Sequence, residues 1–315
     1  MEMKPLAYPH QLTKGDLPET VAAIGFFDGV HQGHQQVIQQ AKEIADQTNR
    51  ASAVITFDPH PSVVLQNKQE AVRYITPIEE KIEKIKELDV DILYIIRFDP
   101  SLAQLSPAHF LEHFIHTLHI THLVAGYDFT FGHKGAGNMM NIRELAGDEL
   151  EVTKVDKIEH SEEKISSTRI RKALAEGDVE MVEKLLGRSY SMSGEVIHGD
   201  KRGRTIGYPT ANIRINENYY LPAIGIYVVE IKVDGQIHYA MASLGYNPTF
   251  TEDRENEKLE VHIFDFDDNI YGQNVTIYWK KYLRAEEKFS GVEALIEKLQ
   301  EDEQRSREFF RELYH

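Results

Sequence analysis

Among 315 residues there is no cysteine, which excludes disulfides, thiolate metal sites and thiol nucleophiles. Positive charge is in deficit: 35 lysines and arginines face 51 aspartates and glutamates, a formal net charge of -16. Such a surface repels nucleic-acid phosphates and anionic lipid, so any bound phosphate is expected at a local site rather than on a basic face. No apolar run approaches the ~20 residues of a membrane span, and no charged leader followed by an apolar core stands at the N-terminus. A soluble, cytoplasmic chain is expected, with neither nucleic acid nor membrane as a partner. The hydrophobic fraction of 41% suits ordinary globular cores. The length suits two domains, at roughly one per ~150 residues.

The most informative stretch is Gly25-Phe26-Phe27-Asp28-Gly29-Val30-His31-Gln32-Gly33-His34. It follows the apolar run Val21-Ala22-Ala23-Ile24, which reads as a short buried strand. It leads into 35–49, where Val37, Ile38, Ala41, Ile44 and Ala45 recur at helical spacing. Glycines thus occupy a strand-to-helix turn, with His31 and His34 close to the helix start. Free backbone N–H groups and the positive dipole end favour an anion there, typically phosphate. The turn is expected to hold the phosphates of a nucleotide.

Further strands are expected over 51–57, 91–98 and 121–126, with helices over 78–88 and from Ser106-Pro107 through Phe110, Leu111, Phe114 and Leu118. This alternation implies right-handed βαβ crossovers and a parallel sheet, whose ligands bind beyond the carboxyl ends of the strands. Asp28, the turn Asp58-Pro59-His60-Pro61, Asp128 and the 132–138 loop all follow strands and are expected to line one crevice. Next comes Lys164-Ile165-Ser166-Ser167-Thr168-Arg169-Ile170-Arg171, then a second helix, 179–186, capped by Asp178 and ended by Gly187. The 166–171 run is open to two readings, a plain helix cap with solvated arginines or a compact phosphate grip. The glycine turn in the same chain favours the grip.

From Arg188 helical periodicity gives way to short alternating segments at 193–198, 224–233, 237–244, 259–266 and 275–282, expected as a small antiparallel barrel or sandwich. A closing helix is expected to carry Val292, Leu295, Ile296, Leu299, Phe309 and Leu313 on its apolar side. The domains are expected at 1–187 and 188–315. Within the second, His198-Gly199-Asp200-Lys201-Arg202-Gly203-Arg204 alternates glycine and cations, as a phosphate-covering loop or a charged hairpin does. Pro209-Thr210-Ala211-Asn212 offers two neutral oxygens, enough for Mg²⁺ on nucleotide phosphates, or else turn chemistry after Pro209. Glu260 faces away from Leu259, Val261 and Ile263, as a solvated strand residue or a base for a substrate hydroxyl.

Together these motifs resemble the bacterial bifunctional riboflavin kinase/FMN adenylyltransferases, over nearly the whole chain. The first half carries Gly25-x-Phe27-Asp28-Gly29-Val30-His31-x-Gly33-His34, Gly126-x-Asp128-Phe129-x-Phe131-Gly132 and Ile165-Ser166-Ser167-Thr168-x-Ile170-Arg171. The second carries Gly194, His198-Gly199, Gly203-Arg204, Pro209-Thr210-Ala211-Asn212, Asn247-Pro248-Thr249-Phe250 and Glu260-x-His262-x-Phe264-x-Phe266. The resemblance implies an α/β, Rossmann-like nucleotidyltransferase domain followed by a β-barrel riboflavin kinase domain. It implies riboflavin, FMN and FAD as substrates and products, with ATP used at two sites and Mg²⁺ held by Thr210 and Asn212. At the first ATP site it implies Gly25, Phe27, Asp28, Gly29, His31, Gly33, His34, Ser166, Ser167, Thr168 and Arg171. There His31, His34 and Arg169 would act on the reacting phosphates, while Asp58, His60, Pro61, Asp128, Phe129 and Phe131 would face the flavin. At the second ATP site it implies Gly194, His198, Gly199, Lys201, Gly203, Arg204, Pro209, Thr210 and Asn212, with Glu260 as base. Two rival readings are a metal-dependent phosphohydrolase using Asp28, His31, His34, Asp58 and His60, and a non-catalytic flavin-binding regulator.

Overall fold

The structure is a computed structural model, and it describes residues 1–65, 72–199, 202–215, 218–246 and 257–314. The chain divides into two compact units, Met1–Ser167 and Thr168–His315. Of the expected site residues, Lys201 and the 247–250 motif lie outside the described residues.

In the first unit the strands are β1 (Glu2–Leu6), β2 (Thr20–Ile24), β3 (Ala51–Asp58), β4 (Ile92–Arg97), β5 (Ile120–Gly126), the short ladder β6 (Thr130–Phe131) with β7 (Gly137–Asn138), and β8 (Glu151–Val155). Six of them form one sheet in the order β1-β4-β3-β2-β5-β8, every neighbouring pair parallel. Its helices are α1 (Gln32–Thr48), α2 (Pro61–Leu65), α3 (Ile78–Lys86), α4 (Pro100–Ala103), α5 (Pro107–Leu111) and α6 (Ile142–Ala146). The period of two sorts the strands between two cores. Val21, Ala23, Val54, Leu93 and Val124 pack with Val37, Ile38 and Ala41 of α1. Ala22, Ile24, Ile55, Tyr94 and Ala125 pack with Phe110, Leu111 and Phe114. The strand order reverses between β2 and β5, the place where ligands bind in such sheets.

One expected helix is cut short. Ser106 caps α5, its side chain accepting from the His109 N–H, but α5 ends at Leu111 and a π turn follows over Glu112–His116. The Thr117 N–H bonds to the Glu112 carbonyl at 3.0 Å, and the widened turn keeps Phe114, Ile115 and Leu118 buried.

After the ladder β9 (Glu159–His160) with β10 (Glu163–Lys164) come α7 (Ser167–Glu176) and α8 (Val179–Leu186). Asp178 caps α8 and Gly187 closes it in the left-handed region. The barrel strands are β11 (Tyr190–Ile197), β12 (Ala211–Ile215), β13 (Gly225–Val233), β14 (Gln236–Tyr246), β15 (Glu257–Ile263) and β16 (Asn274–Arg284), closed in the order β11-β12-β15-β14-β13-β16. Trp279 and Tyr227, both fully buried, meet edge to face inside the second unit at 4.8 Å. Helix α9 (Val292–Tyr314) is held to the end of β16 by Arg284, whose Nε and Nη2 bond Asp302 at 3.0 and 2.6 Å. Phe310 stacks on Tyr239 of β14 at 4.1 Å. Two expected apolar contacts of α9 fail: Val292 and Leu313 are 54% and 50% exposed, because they stand at the ends of the helix.

Candidate active sites

In the first unit, the turn after β2 is rigidly built. The Gly25 N–H continues the ladder to the Ile55 carbonyl at 3.1 Å, and then Phe27, Gly29 and Val30 all take positive φ. Phe27 and Asp28 are buried. The Asp28 carboxylate accepts the N–H groups of Ile75 and Thr76 at 3.3 and 3.1 Å, tying the turn to the segment before α3. His31 is the N-cap of α1: its Nδ1 accepts the His34 N–H at 3.2 Å, which puts the proton of a neutral His31 ring on Nε2. The His31 and His34 rings stack with centroids 3.5 Å apart, and Gly33 lies in the first turn between them. Two imidazoles therefore meet the positive end of a 17-residue helix, beside the sheet's switch point.

Around this turn the structure brings together most of the expected neighbours. The Ser167 hydroxyl donates to the Asp28 carbonyl at 2.9 Å, with Ser166 immediately before it. Asp58 ends β3. His60 packs edge-on against Phe26 at 4.3 Å, and Pro61 opens α2. After β5, which lies beside β2, Asp128 is paired with Lys164, and Phe129 and Phe131 stack at 5.8 Å. Thr168, Arg169 and Arg171 belong to the second unit, where Arg169 Nη2 lies 3.9 Å from Met181 Sδ. Sequence reasoning missed Lys81, which is 1% exposed and bonds the Phe26 carbonyl at 3.0 Å. Its signal was present: with Ile78, Ile82 and Ile85 it occupies the inward face of α3.

In the barrel, β12 and β15 pair so that Asn212 stands opposite Glu260. Residues directly opposite project to the same face, so carboxamide and carboxylate are neighbours. Glu260 also pairs with Lys258 at 3.0 Å. Gly199 lies hard against Asn212: a Cβ there would fall 2.2 Å from Nδ2 and 2.6 Å from Oδ1, so only glycine admits this approach. Thr210 precedes the first residue of β12. Together with Pro209, Arg204, Ala211, Val261 and Ile263 it lines a cavity of about 520 Å³, whose wall also includes residues 266–271. Of that segment the sequence motifs included only Phe266. Its Tyr271 packs against His198 at 3.9 Å and accepts a hydrogen bond from Arg204 at 3.2 Å, so one tyrosine ties down two expected loop residues. Gly194 instead sits buried in mid-β11 between Ile215 and Val275, and Gly203 closes its own turn through the Tyr208 N–H at 2.8 Å.

The donor chemistry near Asn212 fits Mg²⁺: Thr210 and Asn212 carry hard neutral oxygens, and the Gly199 backbone leaves no side chain over the carboxamide. The residues of the rival phosphohydrolase reading do not form a ligand set. Among the described residues no group of three or more His, Asp or Glu side chains is arranged to hold a metal ion. Asp28 and the His31 Nδ1 are engaged with backbone N–H groups instead.

Residues 13–169 match the FAD synthetase family model and residues 186–310 the riboflavin kinase model. A bifunctional riboflavin kinase/FMN adenylyltransferase of Listeria monocytogenes is 50% identical over 99% of both chains. The Bacillus subtilis protein of that description is 43% identical over 98% of both, and the Escherichia coli K12 protein 33% identical over 98% of both. A solved structure from Streptococcus pneumoniae, described as a macrolide-efflux protein, superposes with a TM-score of 0.87 at 35% identity, covering 98% of this chain and 99% of that one. Among the described residues of the present chain, no helix is long and apolar enough to cross a membrane. With both halves matched in the same order and near-complete coverage by its relatives, the chain belongs to the bifunctional riboflavin kinase/FMN adenylyltransferase family.

Proposed function

We propose that the two reactions of the family are divided between the two units, with phosphorylation on the barrel and adenylylation at the 25–34 turn. On the barrel, the ribityl 5′-hydroxyl of riboflavin attacks the γ-phosphorus of ATP. Its proton passes to Glu260, the bond to the β-phosphate oxygen breaks, and FMN and ADP result. Thr210 and Asn212 would hold Mg²⁺, which would neutralise phosphate charge, and the loop from Gly199 to Arg204 would cover the phosphates. The observation that carries this assignment is the cross-strand pairing of Asn212 with Glu260 beneath Gly199.

At the turn, a phosphate oxygen of FMN attacks the α-phosphorus of a second ATP, giving FAD as pyrophosphate leaves. No base is required, because the attacking phosphate is already ionised. The demand is stabilisation of a crowded, multiply charged phosphate, which the helix N-terminus with His31 and His34 supports. Ser166, Ser167, Thr168, Arg169 and Arg171 secure the outgoing pyrophosphate. Asp58, His60, Pro61, Asp128, Phe129 and Phe131 receive the flavin.

Incubation with riboflavin, ATP and Mg²⁺, followed by separation of the flavins, tests the reading. FMN is expected first and FAD after it. Absence of both would contradict the reading, and FMN without FAD would remove the role given to the turn. Omitting Mg²⁺ in the presence of a chelator is expected to stop FMN formation.

A further inference from the structure

Helix α3 turns a lysine inward. Lys81 is 1% exposed and lies one turn before Ile85, which is also buried. Its Nζ donates to the Phe26 carbonyl at 3.0 Å and stands 4.0 Å over the Phe26 ring. The same carbonyl accepts the Thr56 hydroxyl at 2.9 Å, so it is satisfied without the lysine. Burying an ammonium is costly, and a methionine of similar length would fill the space without that cost. Two carboxylates, Asp28 in the turn and Asp58 at the end of β3, act on the ammonium. Tyr74 feels the same two carboxylates, and His60 meets the Phe26 ring from its edge. These groups surround the residue that immediately precedes the Phe27–His31 turn.

We propose that Lys81 is a positioning residue for adenylyl transfer, offsetting the charge of Asp28 and Asp58 beneath the turn and fixing the carbonyl from which the turn departs. This rests on the reading of that turn as the site where ATP meets FMN. Two substrates with several negative charges must enter there, and a positive charge beside the two carboxylates lowers the repulsion they meet. Burial pulls the Lys81 ammonium down to about 8, while Asp28 and Asp58 act to hold it up. As pH rises through that range the proton leaves, and the carboxylates lose their counter-charge. FAD formation therefore falls on the alkaline side, on a limb that riboflavin phosphorylation does not share.

The test compares the native chain with Lys81→Met, assaying FMN-to-FAD and riboflavin-to-FMN conversion separately from about pH 6.5 to 9.5, alongside thermal unfolding. Lys81→Met is expected to lower FAD formation by about tenfold or more, to lack the alkaline limb and to phosphorylate riboflavin at the native rate. Some loss of unfolding temperature is expected, because the buried Asp28 carboxylate has lost a nearby positive charge, so the variant is assayed at temperatures where it remains folded. FAD formation within about twofold of native overturns the proposal, as does a parallel loss of riboflavin phosphorylation in the folded variant, or a limb near pH 8 that persists in the variant. A native FAD-forming profile that stays flat through pH 8 to 9 overturns it without any variant. Failure of the site reading looks different: the native chain would then make no FAD at any pH.

Discussion

Asn212 and Glu260 stand directly opposite one another on adjacent antiparallel strands, with the Gly199 backbone pressed against the Asn212 carboxamide. A neutral oxygen suited to a hard cation and a carboxylate suited to a proton are thus set side by side by register alone. Neither needs a flexible loop to find the other, and rigid placement is what phosphoryl transfer demands.

Gly199→Ala drives a methyl group into that carboxamide, whose Nδ2 lies 2.2 Å from the new Cβ position. FMN formation is expected to fall by about tenfold or more, with the KM for Mg·ATP raised. Conversion of supplied FMN to FAD stays at its native rate, and steady-state kinetics of the two half-reactions checks both.

His31 combines two tasks, capping α1 and presenting an imidazole, and two substitutions separate them. His31→Ala loses both and is expected to destabilise the chain by about 1 kcal/mol, while His31→Asn keeps a capping oxygen and most of that stability. Both variants lose FAD formation. Denaturant titration together with the adenylylation assay distinguishes the effects. Adenylylation at native rate in His31→Asn would leave the ring with a structural role only.

The sheet, its parallel sense and the barrel were legible because their buried strands carry long apolar or alternating runs. What escaped were edges and exceptions. β1 is an edge strand with Pro5 inside it and only Leu6 buried, so it shows little period-two contrast. β8, at the opposite edge, has only Val155 fully buried. β12 was read only as a run of ligand residues, since Asn212 and Ile213 are both buried and break the alternation. The histidine turn was legible because a glycine-rich strand-to-helix junction has few other uses. Lys81 was passed over because a lysine in an amphipathic helix is ordinarily solvated, although its spacing with Ile78, Ile82 and Ile85 puts it on the inward face. Tyr271 lies far in sequence from the His198 and Arg204 it holds, and no local pattern records that contact.

Gly132 has φ 72 and approaches Pro107 so closely that a Cβ would fall 2.7 Å from the proline nitrogen. Gly132→Ala therefore combines backbone strain with a backbone clash, at a cost of about 1–3 kcal/mol. The loop bearing Phe129 and Phe131 is expected to shift, raising the KM for FMN in adenylylation. Riboflavin phosphorylation is unaffected, and the split between the two KM values is the readout.

Arg284 binds Asp302 through Nε and Nη2, and the carboxylate is fully buried. Removing one partner strands the other, so Asp302→Ala is expected to cost about 3–5 kcal/mol and to loosen α9 from the barrel. Replacing both with apolar residues of similar volume costs far less. A double-mutant cycle by chemical denaturation measures the coupling, and FMN formation should fall in step with stability in the single variant.

The division of labour is tested most directly by feeding riboflavin or FMN, each with ATP and Mg²⁺, to Glu260→Gln and His31→Asn. Glu260→Gln is predicted to leave riboflavin nearly unchanged, slowed by about 10²–10⁴-fold, yet to convert FMN to FAD at the native rate. His31→Asn is predicted to convert riboflavin to FMN and stop there. Loss of both activities in either folded variant, or the reverse pattern, would contradict the assignment of one reaction to each unit.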